Sequence, residues 1–194
     1  MGVSEPMAGE DGGVLPAPSI FFRPATLDDL DRVVELEAEG YAPDEAADRD
    51  KMTLRLTKAA RYFLVAVESS SAPLPSSSPA PDRVVGFVCA TRCPGPRLTE
   101  ASMSLHDPSG ELLAVHSVCV DRALRRRGLA TRMLAAYVQA VALPAAADGV
   151  ASARLIARPH LIGLYERAGF VLVGESDVVH GTSKWFDMRL DIVP

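Results

Sequence analysis

A basic turn occupies positions 125–131, where the sequence reads Arg-Arg-Arg-Gly-Leu-Ala-Thr. An apolar run of strand length, residues 112–120, precedes this turn, and a helical pattern follows it. The first amides of a helix lack internal partners, and the helix dipole adds positive potential at the same end. The segment therefore predicts a binding site for a phosphate-bearing ligand. A solvated basic cap on the helix is the alternative that this segment alone leaves open.

His116 is the only histidine in the apolar run before this turn. An imidazole has an unperturbed pKa near 6.5, so it can accept a proton at neutral pH. Strand alternation predicts that Ala114, His116, Val118 and Val120 share one face, whereas Cys119 points to the other. His116 is therefore the candidate proton acceptor. A hydrogen-bonded core histidine is the alternative interpretation.

Two other phosphate-binding motifs do not fit the basic turn. The Gly-x-x-x-x-Gly-Lys-Ser/Thr loop of nucleotide-triphosphate sites is absent. The dinucleotide fingerprint needs several glycines, and the turn has one, Gly128. The turn thus predicts a phosphate site of another kind.

Composition limits the classes of partner. The 194 residues carry a net charge of -5, which argues against general nucleic-acid binding and makes the basic turn a local patch suited to a small anionic ligand. The three cysteines have no spacing that suggests a disulfide framework or a zinc site. We therefore expect no metal, with Cys89 and Cys119 as buried thiols in strands.

The sequence predicts one domain over residues 19–194. Residues 1–18 are rich in Gly and Pro, which predicts a disordered tail. A Ser/Pro run at 69–82 predicts a flexible insert between two strands. No apolar run reaches about 18 residues, and no signal peptide is evident. A cytoplasmic protein without a membrane span is the resulting expectation.

The remaining patterns predict the order strand, two helices, three strands, helix, strand, helix and two strands, which implies an α/β fold with a mixed sheet and helices on both faces. Asp44 is predicted to cap the second helix, and Pro144 to end the third. Gly86 predicts a bend or bulge in a strand. The acidic helix region predicts a solvated face, with attraction of cationic amines as the alternative; its members are Glu35, Glu37, Glu39, Asp44 and Glu45.

Three segments carry a family resemblance. The spacing from Arg125 to Gly128 to Ala130 resembles the Arg/Gln-x-x-Gly-x-Gly/Ala signature of the GNAT superfamily of N-acetyltransferases. Residues 97–110, Arg-Leu-Thr-Glu-Ala-Ser-Met-Ser-Leu-His-Asp-Pro-Ser-Gly, resemble the Arg-Leu-Thr-x-Glu-Ser-x-x-Leu-His-x-Pro-x-Gly segment of arylalkylamine (serotonin) N-acetyltransferases. Residues 164–170, Leu-Tyr-Glu-Arg-Ala-Gly-Phe, resemble that family's Phe-Tyr-x-Arg-Phe-Gly-Phe. The similarity extends over residues 22–190, closest to the non-vertebrate branch.

The resemblance implies the GNAT fold, with a mostly antiparallel sheet splayed open at an acetyl-CoA site. It implies acetyl-CoA as co-substrate and no metal. The positions matched to the pyrophosphate site are Arg126, Arg127, Gly128, Leu129, Ala130 and Thr131. The positions matched to the strand that pairs with pantetheine are Val118, Cys119 and Val120.

The resemblance also implies roles in the reaction. His116 matches the second of two active-site histidines, and Ala114 stands where the first would be, which puts a two-histidine proton relay in doubt. Tyr165 matches a tyrosine near the CoA sulfur that can protonate the leaving thiolate, and the Val118 N–H is the expected stabiliser of the oxyanion. The positions matched to the amine pocket are Tyr41, Pro43, Ile156 and Trp185.

The implied activity is acetyl-CoA-dependent N-acetylation of an arylalkylamine of the serotonin, tryptamine or phenethylamine type, by direct attack of the amine on the thioester. Acetylation of polyamines or other alkylamines is one alternative, and an acyl-CoA-binding module without catalysis is another. The expected partner is a small-molecule amine, with no nucleic acid and no membrane, and the expected state is a monomer.

Overall fold

The computed structural model describes residues 19–69, 82–178 and 184–192. The strands in these ranges are β1 (Ser19–Pro24), β2 (Phe63–Ser69), β3 (Arg83–Cys93), β4 (Leu112–Val120), β5 (Ser152–Ala157), β6 (Val171–Glu175) and β7 (Phe186–Asp191). The α-helices are α1 (Leu30–Gly40), α2 (Arg49–Lys58), α3 (Leu129–Tyr137) and α4 (Ile162–Glu166). The predicted tail and nearly all of the predicted insert lie outside the described residues.

The seven strands form one sheet in the order β1-β2-β3-β4-β5-β7-β6. Every neighbouring pair is antiparallel except β4 and β5, which run parallel. The predicted mixed, mostly antiparallel sheet is therefore confirmed.

The sheet splits between its two parallel strands. The β4–β5 pairing covers only Leu112–Ala114 against Ser152–Arg154. Beyond these residues the two strands continue without pairing to each other, β4 to Val120 and β5 to Ala157. The predicted splay is thus present, and it leaves one edge of β4 open from about His116 onward.

Helices cover both faces of the sheet, as predicted. On one face, Leu129, Met133 and Tyr137 of α3 are buried at i, i+4 spacing in the larger core cluster. On the other, α1 and α2 bury Val33 and Met52 in a second cluster. The parallel strands β4 and β5 therefore separate between two helical layers, each of which buries its own hydrophobic cluster against the sheet.

The second helix begins later than predicted. Asp48, not Asp44, is its N-cap, and the Asp48 side chain accepts a hydrogen bond from the Lys51 N–H (2.8 Å). Asp44 and Asp48 both precede the helical pattern, so the sequence offers two candidate caps. Asp48 caps the helix because its carboxylate reaches a backbone N–H of the first turn. The loop between α1 and α2 is consequently longer than expected.

The helix after the basic turn does not end at Pro144. α3 continues as a π-helical segment, Val138–Ala142, and then as a 3-10 segment, Leu143–Asp148, with Pro144 in its first turn. Proline has no N–H to donate, and its position coincides with the change from π to 3-10 hydrogen bonding within the continuing helix. By length and composition alone, Leu129–Asp148 is apolar enough to cross a membrane, but 44% of its most apolar window is buried inside this fold. A core helix explains that composition.

Gly86 marks a bulge, as predicted. The β2–β3 register pairs Ala66 with Gly86 and Val67 with Val84, which leaves Val85 as an extra residue. A Cβ on Gly86 would lie 2.7 Å from the Cys119 carbonyl oxygen. The glycine therefore allows close approach of β3 to β4 beside the split.

Candidate active site

A cavity of about 60 Å³ lies beside the split in the sheet and is called the central cavity here. It is lined by Glu37, Tyr41, Glu45, Ala47, Lys51, Arg55, Met103, His116, Ser117, Ile156 and Trp185. These residues come from α1, α2, β4, β5, the loop between α1 and α2, and two further loops. Four residues singled out from the sequence, Tyr41, His116, Ile156 and Trp185, thus meet at one place. Pro43 is exposed and is not among the lining residues.

A β-bulge places His116 in this cavity. The β3–β4 register pairs Cys89 with Ser117 and Ala90 with Val115, so His116 is an extra residue with no partner on β3. A bulge reverses side-chain alternation at the inserted residue. The prediction that His116 and Val118 share a face is therefore wrong.

The two sides of β4 beyond the bulge have different surroundings. Val118 and Val120 pack with the larger core cluster, beneath α3. Ser117 and Cys119 face α1 and hydrogen-bond to Glu37. The bulge thus puts His116 and Ser117 on the wall of the same cavity and brings Cys119 to the histidine side, against prediction.

The imidazole of His116 is held by one hydrogen bond. Its Nε2 lies 2.8 Å from the Thr91 hydroxyl oxygen, and its buried Nδ1 has no hydrogen-bond partner in the described part of the chain. When Thr91 accepts from Nε2–H, Nδ1 presents a lone pair that can take a proton. Burial lowers the pKa of His116 well below 6.5, and the positive charges of Arg55 and Lys51 lower it further. The imidazole is therefore neutral at pH 7.

Tyr41 reaches the amide that the sequence predicted as an oxyanion donor. The Val118 N–H donates to the Tyr41 hydroxyl oxygen at 3.3 Å. Burial raises the pKa of Tyr41 well above 10, and the nearby Cys119, Tyr165 and Glu37 raise it further. Tyr41 thus keeps its proton and can itself donate a hydrogen bond next to the Val118 amide.

Tyr165 of α4 is buried on the other side of the split. Its ring packs edge-on against Phe170, with centroids 6.2 Å apart. Burial raises its pKa, and the Cys119 thiol adds to the shift. Tyr165 therefore keeps its proton at physiological pH, and its role as proton donor to the leaving thiolate stays a prediction.

Glu37 is a cavity residue that the sequence interpretation missed. Glu35 and Glu39 of α1 are exposed as expected, but Glu37 is only 2% exposed. Its Oε1 accepts hydrogen bonds from the Ser117 hydroxyl (3.0 Å) and the Ala47 N–H (3.0 Å). The available signal was its position: Glu37 lies one turn after Val33, on the buried stripe of the helix.

The cysteines do not form a reactive site. All three are buried and unpaired by disulfides. Cys119 donates to Glu37 Oε2 at 3.3 Å, and burial together with that carboxylate raises its thiol pKa well above 9. A thiol in this state is a poor nucleophile. Across the described ranges, no three potential metal ligands converge.

The basic turn is built from backbone as much as from side chains. Arg126 has φ 63° and Gly128 has φ 78°, so the chain makes left-handed bends just before α3 begins at Leu129. Arg125 fixes the turn to the sheet, because its Nε donates to the Val120 carbonyl at 2.9 Å. Arg126, Arg127 and Gly128 are exposed. Their charges and the open first amides of α3 can bind a phosphate.

Comparison with known proteins identifies the fold and the family. Residues 30–170 match the model of the acetyltransferase (GNAT) family. The serotonin N-acetyltransferase of Mesocricetus auratus is 28% identical over 110 residues, which span 57% of this chain and 52% of that protein. The match therefore covers about half the length of that relative.

Two solved structures illustrate the shared architecture. The loading GNATL domain of CurA from Lyngbya majuscula has a TM-score of 0.71 at 15% identity, with coverage of 90% of this chain and 98% of that one. Arabidopsis thaliana NAA60 in complex with acetyl-CoA has a TM-score of 0.63 at 19% identity, with coverage of 90% and 99%. At these identities the likeness shows the fold alone. Together with the family model, which matches most of the sequence, it leads to one conclusion: the chain belongs to the acetyltransferase (GNAT) family.

Proposed function

We propose that the protein transfers the acetyl group of acetyl-CoA to the nitrogen of a small primary arylalkylamine, such as tryptamine or phenethylamine. The observation that carries this proposal is the central cavity, where His116 meets Ile156 and Trp185 beside the open edge of β4. The indole of Trp185 offers a face or edge to an aromatic substrate. The similarity to a serotonin N-acetyltransferase supports the same class of acceptor.

The basic turn is suited to the phosphates of acetyl-CoA. Arg126 and Arg127 supply exposed positive charge, and the first amides of α3 add donors that have no helical acceptor. Gly128 allows close approach of a ligand to the backbone, since a Cβ there would touch nothing in the protein. The edge of Val118–Val120 that faces away from β3 has no strand partner in β5 and can pair with the pantetheine amides.

The acceptor amine must lose a proton before it can attack. An alkylammonium with a pKa near 10 is about one part in a thousand free base at pH 7, a cost of about 4 kcal/mol. His116 is neutral and its Nδ1 lacks a protein partner, so it can take this proton directly or through a water. Arg55 and Lys51, which disfavour the imidazolium, disfavour a nearby ammonium for the same electrostatic reason.

The free amine then attacks the thioester carbonyl, so that a C–N bond forms and the C–S bond breaks. We assign the stabilisation of the developing oxyanion to the Val118 N–H and the Tyr41 hydroxyl, which lie 3.3 Å apart. Tyr165 gives its phenolic proton to the leaving thiolate and recovers one from solvent. The attacking nitrogen loses a second proton as the C–S bond breaks, and this proton and the one taken by His116 both pass to solvent. Because Tyr165 recovers one, the reaction releases one proton for each ammonium acetylated.

The experiment is an amine panel with acetyl-CoA, read by thiol release and by mass detection of the acetylated amine. We expect product with tryptamine and phenethylamine. A tenfold or greater preference for spermidine in kcat/KM would replace the arylalkylamine class with polyamines. Binding of acetyl-CoA without product from any amine would favour a non-catalytic module.

A further inference from the structure

Arg55 of α2 is a buried cation that has no carboxylate at ion-pair distance among the described residues. It is 5% exposed, and within those residues its guanidinium donates to sulfur alone, to Met52 Sδ at 3.9 Å and to Cys89 Sγ at 3.7 Å. Thioether and thiol sulfurs are weak acceptors, and a buried charge that lacks a counter-ion is costly. Because Arg55 also lines the central cavity, its missing partner has a place to bind.

The two carboxylates of the same cavity are engaged elsewhere. Glu45 pairs with Arg158, whose guanidinium stacks over the ring of Trp185 with 5.2 Å to the ring centroid. Glu37 accepts hydrogen bonds from Ser117 and the Ala47 N–H. Neither therefore acts as the counter-ion of Arg55 at ion-pair distance.

Lys51 adds a second positive charge to the same wall. It precedes Arg55 by four residues on α2, so the two side chains lie on one face of the helix. Both line the central cavity and also a smaller outer cavity of about 20 Å³ that includes Thr91 and Met103. The effect of this pair is already visible on His116, whose pKa both cations lower.

We propose that the acceptor amine also bears a carboxylate, and that Arg55 binds this carboxylate with Lys51 in support. The inference rests on the proposed function, since it names the substrate class of the same site. An aromatic amino acid meets the requirements: its ring can pack on Trp185, its carboxylate can take a bidentate hydrogen-bonded pair from Arg55, and its amino group can face His116. Such an amino acid is a zwitterion with no net charge, so it adds no net positive charge beside Lys51 and Arg55.

The catalytic test compares L-phenylalanine with phenethylamine, which differ only by the carboxylate. We expect the wild-type protein to favour phenylalanine by at least about tenfold in kcat/KM, the factor that a charge-assisted hydrogen bond supplies. Arg55→Met should reduce the ratio of kcat/KM for phenylalanine to that for phenethylamine by about 10- to 100-fold. This ratio is the readout, because Arg55 also acts on the pKa of His116 and its loss can change both rates. Lys58→Met, an exposed change on the same helix that lines neither cavity, is the matched control and should leave the ratio unchanged.

A binding test works without catalysis. Trp185 is the only tryptophan, so its fluorescence reports directly on the central cavity. We expect 3-phenylpropionate to bind at least about tenfold more tightly than the neutral 3-phenylpropanamide, and Arg55→Met to abolish the difference. Lys51→Met changes an exposed side chain, so this variant should fold. It replaces Arg55→Met in the binding test if Arg55→Met does not fold. It should weaken phenylpropionate binding by about two- to fivefold and leave the amide unchanged.

The two experiments separate the proposals. Arg55-dependent binding of phenylpropionate, with no amine acetylated, would keep the carboxylate site and contradict the acetyltransferase proposal. Acetylation of phenethylamine and phenylalanine at equal efficiency, with equal binding of the acid and the amide, would overturn the carboxylate site and leave the acetyltransferase proposal intact.

Discussion

The basic turn at 125–131 and the central cavity differ in how the chain assembles them. The turn is one contiguous segment, exposed to solvent, whose ligand-binding groups are largely backbone amides and two arginines. The cavity gathers side chains from α1, α2, β4, β5 and three loops, and its charges are mostly buried. The turn can therefore be recognised from a short motif, whereas the cavity depends on how distant segments pack. We expect each arginine of the turn to make a small, salt-dependent contribution to the affinity for the cofactor. We expect the cavity to control the rate of the reaction and the choice of acceptor.

The largest effect is expected from Tyr165→Phe. Phenylalanine keeps the ring that packs edge-on against Phe170 but removes the proton donor. General acid catalysis contributes about 100- to 10,000-fold, so kcat should fall by about 100- to 1,000-fold. The measurement is steady-state kinetics, with Tm and the KM for acetyl-CoA as controls that should not change. A kcat near that of the wild type would reduce Tyr165 to a packing residue.

His116→Gln should have the next largest effect. A base with a lowered pKa is a weaker proton acceptor, so we expect kcat at pH 7 to fall by only about 10- to 100-fold. The deficit should shrink as pH rises, because more of the amine is then already free base. The measurement is a pH–rate profile from pH 6 to 9 for both proteins. A constant ratio across that range would assign His116 to structure and not to proton transfer.

The contrast between the two regions also explains what the sequence could predict. The order of strands and the turn before α3 follow from local patterns, and the split beside β4 was implied by the family resemblance; all three predictions were correct. The orientation of His116 was not, because a one-residue bulge depends on the register between β3 and β4, which periodicity within one strand does not contain. Asp48 displaced Asp44 as the cap for a similarly geometric reason.

Buried charge was the other feature that sequence reasoning missed. Glu37 and Arg55 are polar residues on helices, and polar residues on helices are usually solvated. Each became a cavity residue because α1 packs on β3 and β4, and α2 packs on β3, next to the bulge. Their partners, Ser117 for Glu37 and Cys89 for Arg55, are 80 and 34 residues distant in the chain. Only the folded arrangement pairs them.

The arginines of the basic turn should have a smaller effect than either cavity residue. Arg126→Ala and Arg127→Ala each remove one exposed charge, worth about 0.2–1 kcal/mol, so each should raise the Kd for acetyl-CoA by about 1.4- to fivefold. The loss should diminish at high salt because exposed charges are screened. Calorimetric titration at two ionic strengths measures both effects. The KM for the amine should not change. A change in it would contradict the assignment of cofactor binding to the turn and acceptor binding to the cavity.

The last expected effect is on stability and not on activity, and it arises from the cavity. His116 has a pKa near 6.5 in the unfolded chain and a lower pKa in the folded protein, so below pH 6.5 the unfolded chain binds a proton that the folded protein does not. The free energy of unfolding should therefore fall as the pH drops below 6.5, by at most about 1.4 kcal/mol per pH unit from this group, and should not depend on it above that pH. Burial also lowers the pKa of His106, which adds a contribution of the same sign. Urea titrations from pH 7 to 5 on the wild type, His116→Gln and His106→Gln separate the two, since each variant should lose only its own share of the pH dependence. If the free energy of unfolding depended on pH equally in the wild type and His116→Gln, the imidazole would not be held neutral in the cavity. The proposed electrostatic difference between the buried cavity and the exposed turn would then be wrong.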